Sequence, residues 1–221
     1  MLKLPKTFAV IGCGRFGANV ARTLAELGND VLAVDASQEI VNDLSPHVTY
    51  AICADVGVEG ALDSIGLSNV DCAIIGLSSD FEAAVMATAL CREQKVPMII
   101  AKARSELHGR ILQRVGASKI ILPERDIGIK LAHSLSSQSV YEYFELSEEH
   151  SLVESAVPKA WLGKTLGELN VRKHYGVSII GILNEGYSNI NPSPADKFRE
   201  GDRILVLGSH AELMKLEEKT Q

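Results

Sequence analysis

The sequence has no apolar run approaching the roughly 20 residues that cross a bilayer, so no membrane-spanning helix is expected. It opens MLKLPKTFAVIG, with two lysines but without the apolar stretch and small-residue cleavage site of a secretory leader. The expected location is therefore the cytoplasm. No basic block exists: 22 Lys and Arg face 28 Asp and Glu, for a net charge of −6. Neutralising a nucleic-acid backbone needs clustered cations, so no nucleic-acid partner is expected. The four cysteines, Cys13, Cys53, Cys72 and Cys91, form no Cys-x-x-Cys pair and have no histidine at metal-ligand spacing. All four sit in apolar sequence and are expected to be small buried hydrophobes in a reduced compartment. A Tyr-x-x-x-Lys pair is also missing. The residues four after Tyr50, Tyr141, Tyr143, Tyr175 and Tyr187 are Ala54, Glu145, Ser147, Ile179 and Asn191.

What is present is the composition of an ordinary globular protein, 46% hydrophobic and 23% charged over 221 residues. The first 122 residues alternate short β-branched runs with helical stretches. Strands are expected at Thr7 to Ile11, Asp30 to Val34, Thr49 to Cys53, Asp71 to Gly76, Met98 to Ala101 and Lys119 to Leu122. Between them run amphipathic segments such as Arg15 to Leu27, and Ser79-x-x-Glu82 reads as a capping box before Ala83 to Leu90. Near-continuously apolar strands separated by helices mean a parallel sheet covered on both faces. The expected fold is α/β, a Rossmann-like doubly wound six-stranded parallel sheet.

After Pro123 the pattern changes. Glu124 to Ser137 reads as a further helix, with Ile127, Leu131 and Leu135 four apart, followed by a polar hinge, Ser136 to Ser139. From Tyr141 the runs are short and β-like: Leu152 to Val157, Val177 to Leu183 and Arg203 to Leu207. Thr165-x-x-Glu168 and Ser209-x-x-Glu212 announce two more helices. The expected division is a nucleotide-binding domain over 1–138 and a small α+β domain over 141–221.

The chemistry lies in Gly12-Cys13-Gly14-Arg15-Phe16-Gly17, a G-x-G-x-x-G that ends the first strand and opens the first helix. Asp35 answers it at the end of the second strand, 18 residues after Gly17. Gly12 permits the tight turn, Gly14 lets a phosphate approach the backbone, and Gly17 lets helix pack on strand. The phosphate then meets free N–H groups at a helix N-terminus. Asp35 is placed to accept from ribose hydroxyls and to disfavour a 2′-phosphate. Arg15 opposes the helix dipole by roughly 0.3–1 kcal/mol unless a ligand phosphate compensates it. Further polar residues follow later strands: Asp55, then Ser78, Ser79 and Asp80, then Lys102 and Arg104, then Glu124. A nicotinamide-dependent oxidoreductase and a redox-sensing transcription factor are rival readings on such a fold. The first lacks an evident proton-transfer group. The second would need a basic helix-turn-helix, for which about six residues before the first strand leave no room.

FAVIGCGRFG with VLAVD, GASKIILPERDIGIKLAHSL, ELSEEHSLVE, TLGELNVRKHYGVSIIGI and FREGDRILVLG together resemble one family. It is the regulator-of-conductance-of-potassium (RCK) family, the cytoplasmic subunits of Trk and Ktr transporters. The resemblance covers nearly the whole chain and is strongest to the short single-copy Ktr type. It implies a homodimer joined across a crossover helix and assembled into a ring, an octamer, beneath a membrane-embedded potassium-translocating subunit. It implies ATP or ADP, alternatively NAD or NADH, held by Gly12, Gly14, Arg15, Gly17, Asp35 and Asp55. Cys13, Phe16, Ala36, Val56, Leu77 and Ser78 would flank them as further binding residues. Lys102 and Arg104 would lie near the phosphates, and Glu124 would bind at a divalent-cation site, Mg²⁺ or Ca²⁺, near the nucleotide at the dimer interface. The resemblance also implies cyclic di-AMP between two C-terminal domains, at Arg172 and Pro192.

Overall fold

Six strands form one parallel sheet: β1 (Thr7–Ile11), β2 (Asp30–Asp35), β3 (Tyr50–Cys53), β4 (Cys72–Ile75), β5 (Met98–Lys102) and β6 (Lys119–Ile121). Their order is β3-β2-β1-β4-β5-β6, and every pairing is parallel. The computed structural model describes residues 7–58, 60–61, 65–77, 79–136, 140–147 and 149–220. Alternation along the strands explains the near-continuous apolar runs. Ala9, Ile11, Leu32, Val34, Ala73, Ile75, Ile99 and Ala101 enter one buried cluster. Val10, Val31, Ala33, Cys72 and Ile74 enter another. A strand with helices on both faces has no face left for polar residues.

The helices are α1 (Arg15–Glu26), α2 (Gln38–Leu44), α3 (Phe81–Glu93) and α4 (Glu106–Val115). Ala21 of α1 and Leu44 of α2 pack into one cluster, and Ala84, Ala87, Cys91 and Leu112 of α3 and α4 into the other. Ser37 and Ser105 cap α2 and α4. The cap of α3 differs from the expected one. Asp80, not Ser79, accepts the Ala83 N–H at 3.0 Å, and Glu82 falls in the first turn. The two neighbours are nearly equal caps by type, so tertiary packing chooses the register. Between β3 and β4 the described residues carry one turn of 3₁₀ helix, Leu67–Asn69, in place of an α-helix.

The chain divides into a unit ending at Glu124 and a second beginning at Arg125. Helix α5 (Pro123–Ser136) runs into the second unit, and residues 137–139 of the expected hinge lie outside the described residues. The second unit is an antiparallel sheet of β7 (Val140–Glu145), β8 (His150–Ala156), β9 (Ser178–Asn184), β10 (Tyr187–Asn189) and β11 (Arg203–Ser209), ordered β10-β9-β11-β8-β7. Two short helices, α6 (Leu166–Leu169) and α7 (Val171–Tyr175), and a terminal one, α8 (His210–Thr220), complete it. Both expected capping boxes are there. Thr165 and Glu168 bond reciprocally at the start of α6, and Ser209 and Glu212 at the start of α8. Trp161, Phe198, Val177, Ile204 and Val206 form the core.

The cysteines correct one expectation. Cys13, Cys72 and Cys91 are buried, but Cys53 is exposed, because it ends β3, the sheet's edge strand. Burial pushes the thiols of Cys13 and Cys91 up to about 12 and that of Cys72 up to about 11. Thiolate is the reactive form. At pH 8 the native protein is expected to titrate one thiol per chain with a disulfide reagent, and four once unfolded. A Cys53→Ser variant that still showed a reactive native thiol would contradict this burial pattern.

Candidate nucleotide-binding site

The strand order reverses direction between β2 and β4, on either side of β1. The crevice outside the carboxyl ends of the strands at such a switch point is where open α/β sheets bind ligands. The turn Gly12 to Gly17 lies there. Gly12 adopts φ +87°, which favours glycine, and its N–H donates to Val34 O at 2.8 Å. At Gly17 a Cβ would stand 2.0 Å from the Gly12 carbonyl oxygen, so helix and strand meet backbone to backbone. A Cβ on Gly14 would meet nothing within 4 Å: the space before it is open. Helix α1 begins directly behind with no capping side chain and no acid in its first turn. Its first N–H groups have no intrahelical acceptor. The turn therefore fits a phosphate: an open approach, free backbone donors and the positive end of a helix dipole.

Asp35 ends β2 and is fixed by two backbone donors. The Cys13 N–H reaches one carboxylate oxygen at 2.7 Å, and the Ser37 N–H reaches the other at 2.9 Å. Each oxygen retains a lone pair, so ribose hydroxyls could still donate to it. Cys13 contributes its backbone only. Its side chain is buried, with the Sγ–H directed at the Val10 and Val34 carbonyls. Ala36 is exposed beside Asp35. The Ala54 N–H donates to Asp35 O at 3.0 Å, which brings the end of β3 and Asp55 alongside. Asp55 is exposed and accepts the Gly57 N–H at 2.9 Å. Val56 is buried in the core, and Leu77 packs against that core and lies beside Gly12. Ser78 lies outside the described residues.

Lys102, at the end of β5, is buried, with 8% of its surface exposed. Its ammonium donates to Glu124 Oε1 at 2.6 Å and lies 5.4 Å from the ring centre of Phe16, in the first turn of α1. The Lys102 hydrogen bond, with Glu124's own amide, holds the Glu124 carboxyl below the usual range, and Arg104 adds to the effect. Arg15 and Arg104 are exposed. One chain supplies only part of the donor set that a divalent cation at a dimer interface would need. The described residues contain no cluster of three or more His, Cys, Asp or Glu, and the Glu124 carboxylate is already paired with an ammonium. Arg172, exposed on α7, and Pro192, half-buried after β10, belong to the second unit.

Two contributors were not read from the sequence. Ser37 helps hold Asp35. Phe16 was expected as a binding residue, but not its contact with Lys102, which lies far from it in the chain. Gly76, expected only as a strand end, approaches so closely that a Cβ there would stand 2.3 Å from Gly12 O. A glycine directly after a strand at the switch point was the one available signal.

Fold and site define a class: a Rossmann-like domain with a phosphate-sized glycine turn, joined to a small C-terminal domain with an antiparallel sheet. The chain matches the TrkA-N domain over residues 8–123 and the TrkA-C domain over 152–221. It is 37% identical over 212 residues to Ktr system potassium uptake protein A of Bacillus subtilis, covering 96% of each chain. It is 34% identical over 216 residues to protein C of the same organism, covering 98% of each. The chain belongs to the regulator-of-conductance-of-potassium family. Among solved structures, the GsuK channel aligns with all of this chain at 18% identity and a TM-score of 0.69. The GsuK channel bound to NAD aligns at 19% and 0.66. This chain spans 40% of each of those channel chains, and the likeness is one of fold. Among the described residues no helix is long and apolar enough to cross a membrane.

Proposed function

We propose that this chain is the nucleotide-sensing regulatory subunit of a Ktr-type potassium uptake system and not an enzyme. ATP or ADP, alternatively NAD or NADH, binds at the glycine turn. The bound ligand sets the state of a homodimer-based ring, an octamer, that gates a membrane-embedded potassium-translocating partner. The observation that carries the reading is the open, uncapped, acid-free start of α1 behind Gly14, flanked by Asp35 and Lys102. Near full-length similarity to proteins named as components of Ktr potassium uptake supplies the setting. Pairing through α5 is supported by its apolar stripe: Ile127, Leu131 and Leu135 are all strongly exposed. Cyclic di-AMP is assigned to the C-terminal unit, where Arg172, Lys173 and His174 are all exposed on α7.

Arg15 carries the test. Backbone donors hold the phosphates nearest the ribose, and a terminal phosphate extends beyond them, where a guanidinium can fork onto it. Arg15→Ala is expected to bind ADP nearly as wild type and to lose about 10- to 100-fold for ATP, equivalent to about 1.4–2.8 kcal/mol. Competition calorimetry of both nucleotides at fixed Mg²⁺ measures it. Equal losses for the two would place Arg15 on the inner phosphates and remove the sensing role.

A further inference from the structure

The loop between β10 and β11 carries Pro192, and one carboxylate oxygen closes it. Asp196 Oδ2 accepts the Ser193 N–H at 2.6 Å and the Asn189 side-chain amide at 3.0 Å. These donors stand on either side of Ile190, Asn191 and Pro192, so the two bonds bracket that stretch. Asn189 adds an inner tie, its Oδ1 accepting the Asn191 N–H at 3.4 Å. Ile190 and Asn191 are exposed, so packing does little to fix the loop and the hydrogen bonds do most of it. The same segment is also joined to α6. The Leu166 N–H donates to Asp196 O at 2.9 Å, and the Gly167 N–H to Pro194 O at 2.8 Å. The approach is close: a Cβ on Gly167 would stand 2.9 Å from that Pro194 oxygen. Only Asn170 separates α6 from α7, which carries Arg172. Asp196 therefore sits where the Pro192 loop meets the helix pair that presents Arg172.

We propose that Asp196 is a positioning residue for the C-terminal ligand site: it holds the Pro192 loop against the helices that present Arg172, without touching the ligand. The inference rests on the reading that cyclic di-AMP binds this unit. A carboxylate facing a phosphodiester would repel it, so Asp196 serves the site from behind. Its contribution is preorganisation, since a loop already in its binding shape spares the ligand the cost of ordering it. Without the clamp only a fraction of molecules hold that shape, and affinity falls by that fraction. The loss then lies in association, because few molecules are competent at encounter. Removal of a direct contact instead speeds dissociation.

The experiment measures cyclic di-AMP binding to the full chain, its affinity by calorimetry and its two rate constants by surface plasmon resonance. Asp196→Ala is expected to bind about tenfold more weakly through slower association, as for a loop competent about a tenth of the time. Asp196→Asn keeps an oxygen acceptor for both donors and is expected to stay within about threefold of wild type. Arg172→Ala, the comparison, is expected to speed dissociation. The Trp161 fluorescence midpoint in urea is read alongside. A merely structural role would lower that midpoint and leave the affinity of the folded protein unchanged. If Asp196→Ala does not fold, Asn189→Ala removes one of the two donors and carries the same test, with about a threefold loss in association. A loss carried by dissociation, or Asp196→Asn as weak as Asp196→Ala, would overturn the proposal. If the wild type does not bind cyclic di-AMP, the reading of this unit fails and the inference fails with it. If the wild type binds and Asp196→Ala binds equally well, the inference alone fails.

Discussion

Gly17→Ala is expected to destabilise the amino-terminal unit by about 3 kcal/mol or more, at or above the upper end of the usual overpacking range. The added Cβ would lie 2.0 Å from the Gly12 carbonyl oxygen and 3.0 Å from its carbonyl carbon. Neither atom belongs to a side chain that could swing aside. Gly12 is itself held by its positive φ and its hydrogen bond to Val34. Relief therefore requires α1 to lift from β1, exposing the seam between Val10 and Ala21. With total stabilities of roughly 5–15 kcal/mol, such a loss is a large share. Gly14→Ala is the control, since its Cβ meets nothing within 4 Å and its φ of −60° suits alanine. Urea unfolding followed by far-ultraviolet circular dichroism separates the two. A Gly17→Ala midpoint close to that of Gly14→Ala would refute the close approach. Gly14→Ala should instead show its effect on nucleotide affinity, because its methyl group points into the space assigned to phosphate.

Phe198→Ala is expected to cost about 3–5 kcal/mol in the second unit, the usual range for truncating a buried phenylalanine. Phe198 is fully buried, and its ring centre lies 5.7 Å from that of Trp161. Its backbone also ties the segment to the preceding turn: its N–H donates to Lys164 O, and its carbonyl accepts from Gly163. Trp161 is the chain's single tryptophan, so its fluorescence reports this unit and is silent for the first. The expected result is an early fluorescence transition in denaturant, with the transition of the first unit, followed through its helix signal, little changed. A shift in the fluorescence midpoint worth less than about 1 kcal/mol would mean that the cluster repacks around the gap.

Much of the first unit was legible because its information is local. A strand buried on both faces must be apolar throughout, and β1 came out residue for residue, Thr7–Ile11. The glycine turn and Asp35 were legible for a different reason: turn, helix start and strand end are contiguous or nearly so. Edge elements were harder. Tyr141, Glu142, Phe144 and Glu145 of β7 are exposed while Tyr143 is buried, so the strand lacks the apolar core pattern of its neighbours. In β10 two of three residues are exposed. Cys53 misled because its apolar neighbours face inward from an edge strand while it faces out. The pairing of Lys102 with Glu124 joins the end of β5 to the first turn of α5, 22 residues on, and no spacing rule marks it. Which neighbour of Lys102 takes its charge is a tertiary fact.

The two backbone amides on Asp35 tie ligand choice to architecture. A cofactor with a 2′-phosphate is accepted in such folds when the acid after the second strand gives way to a neutral or basic residue. In this chain the same exchange would strip the acceptors from the Cys13 and Ser37 amides. One of those amides belongs to the phosphate turn and the other to the turn leading into α2. A buried donor left without a partner costs about 1–3 kcal/mol. Redesign toward 2′-phosphorylated ligands is therefore not a one-residue edit. The order of changes matters, with a substitute acceptor for the Cys13 amide installed first and the carboxylate removed second. Removing the carboxylate alone would therefore register as lost stability as well as altered ligand choice.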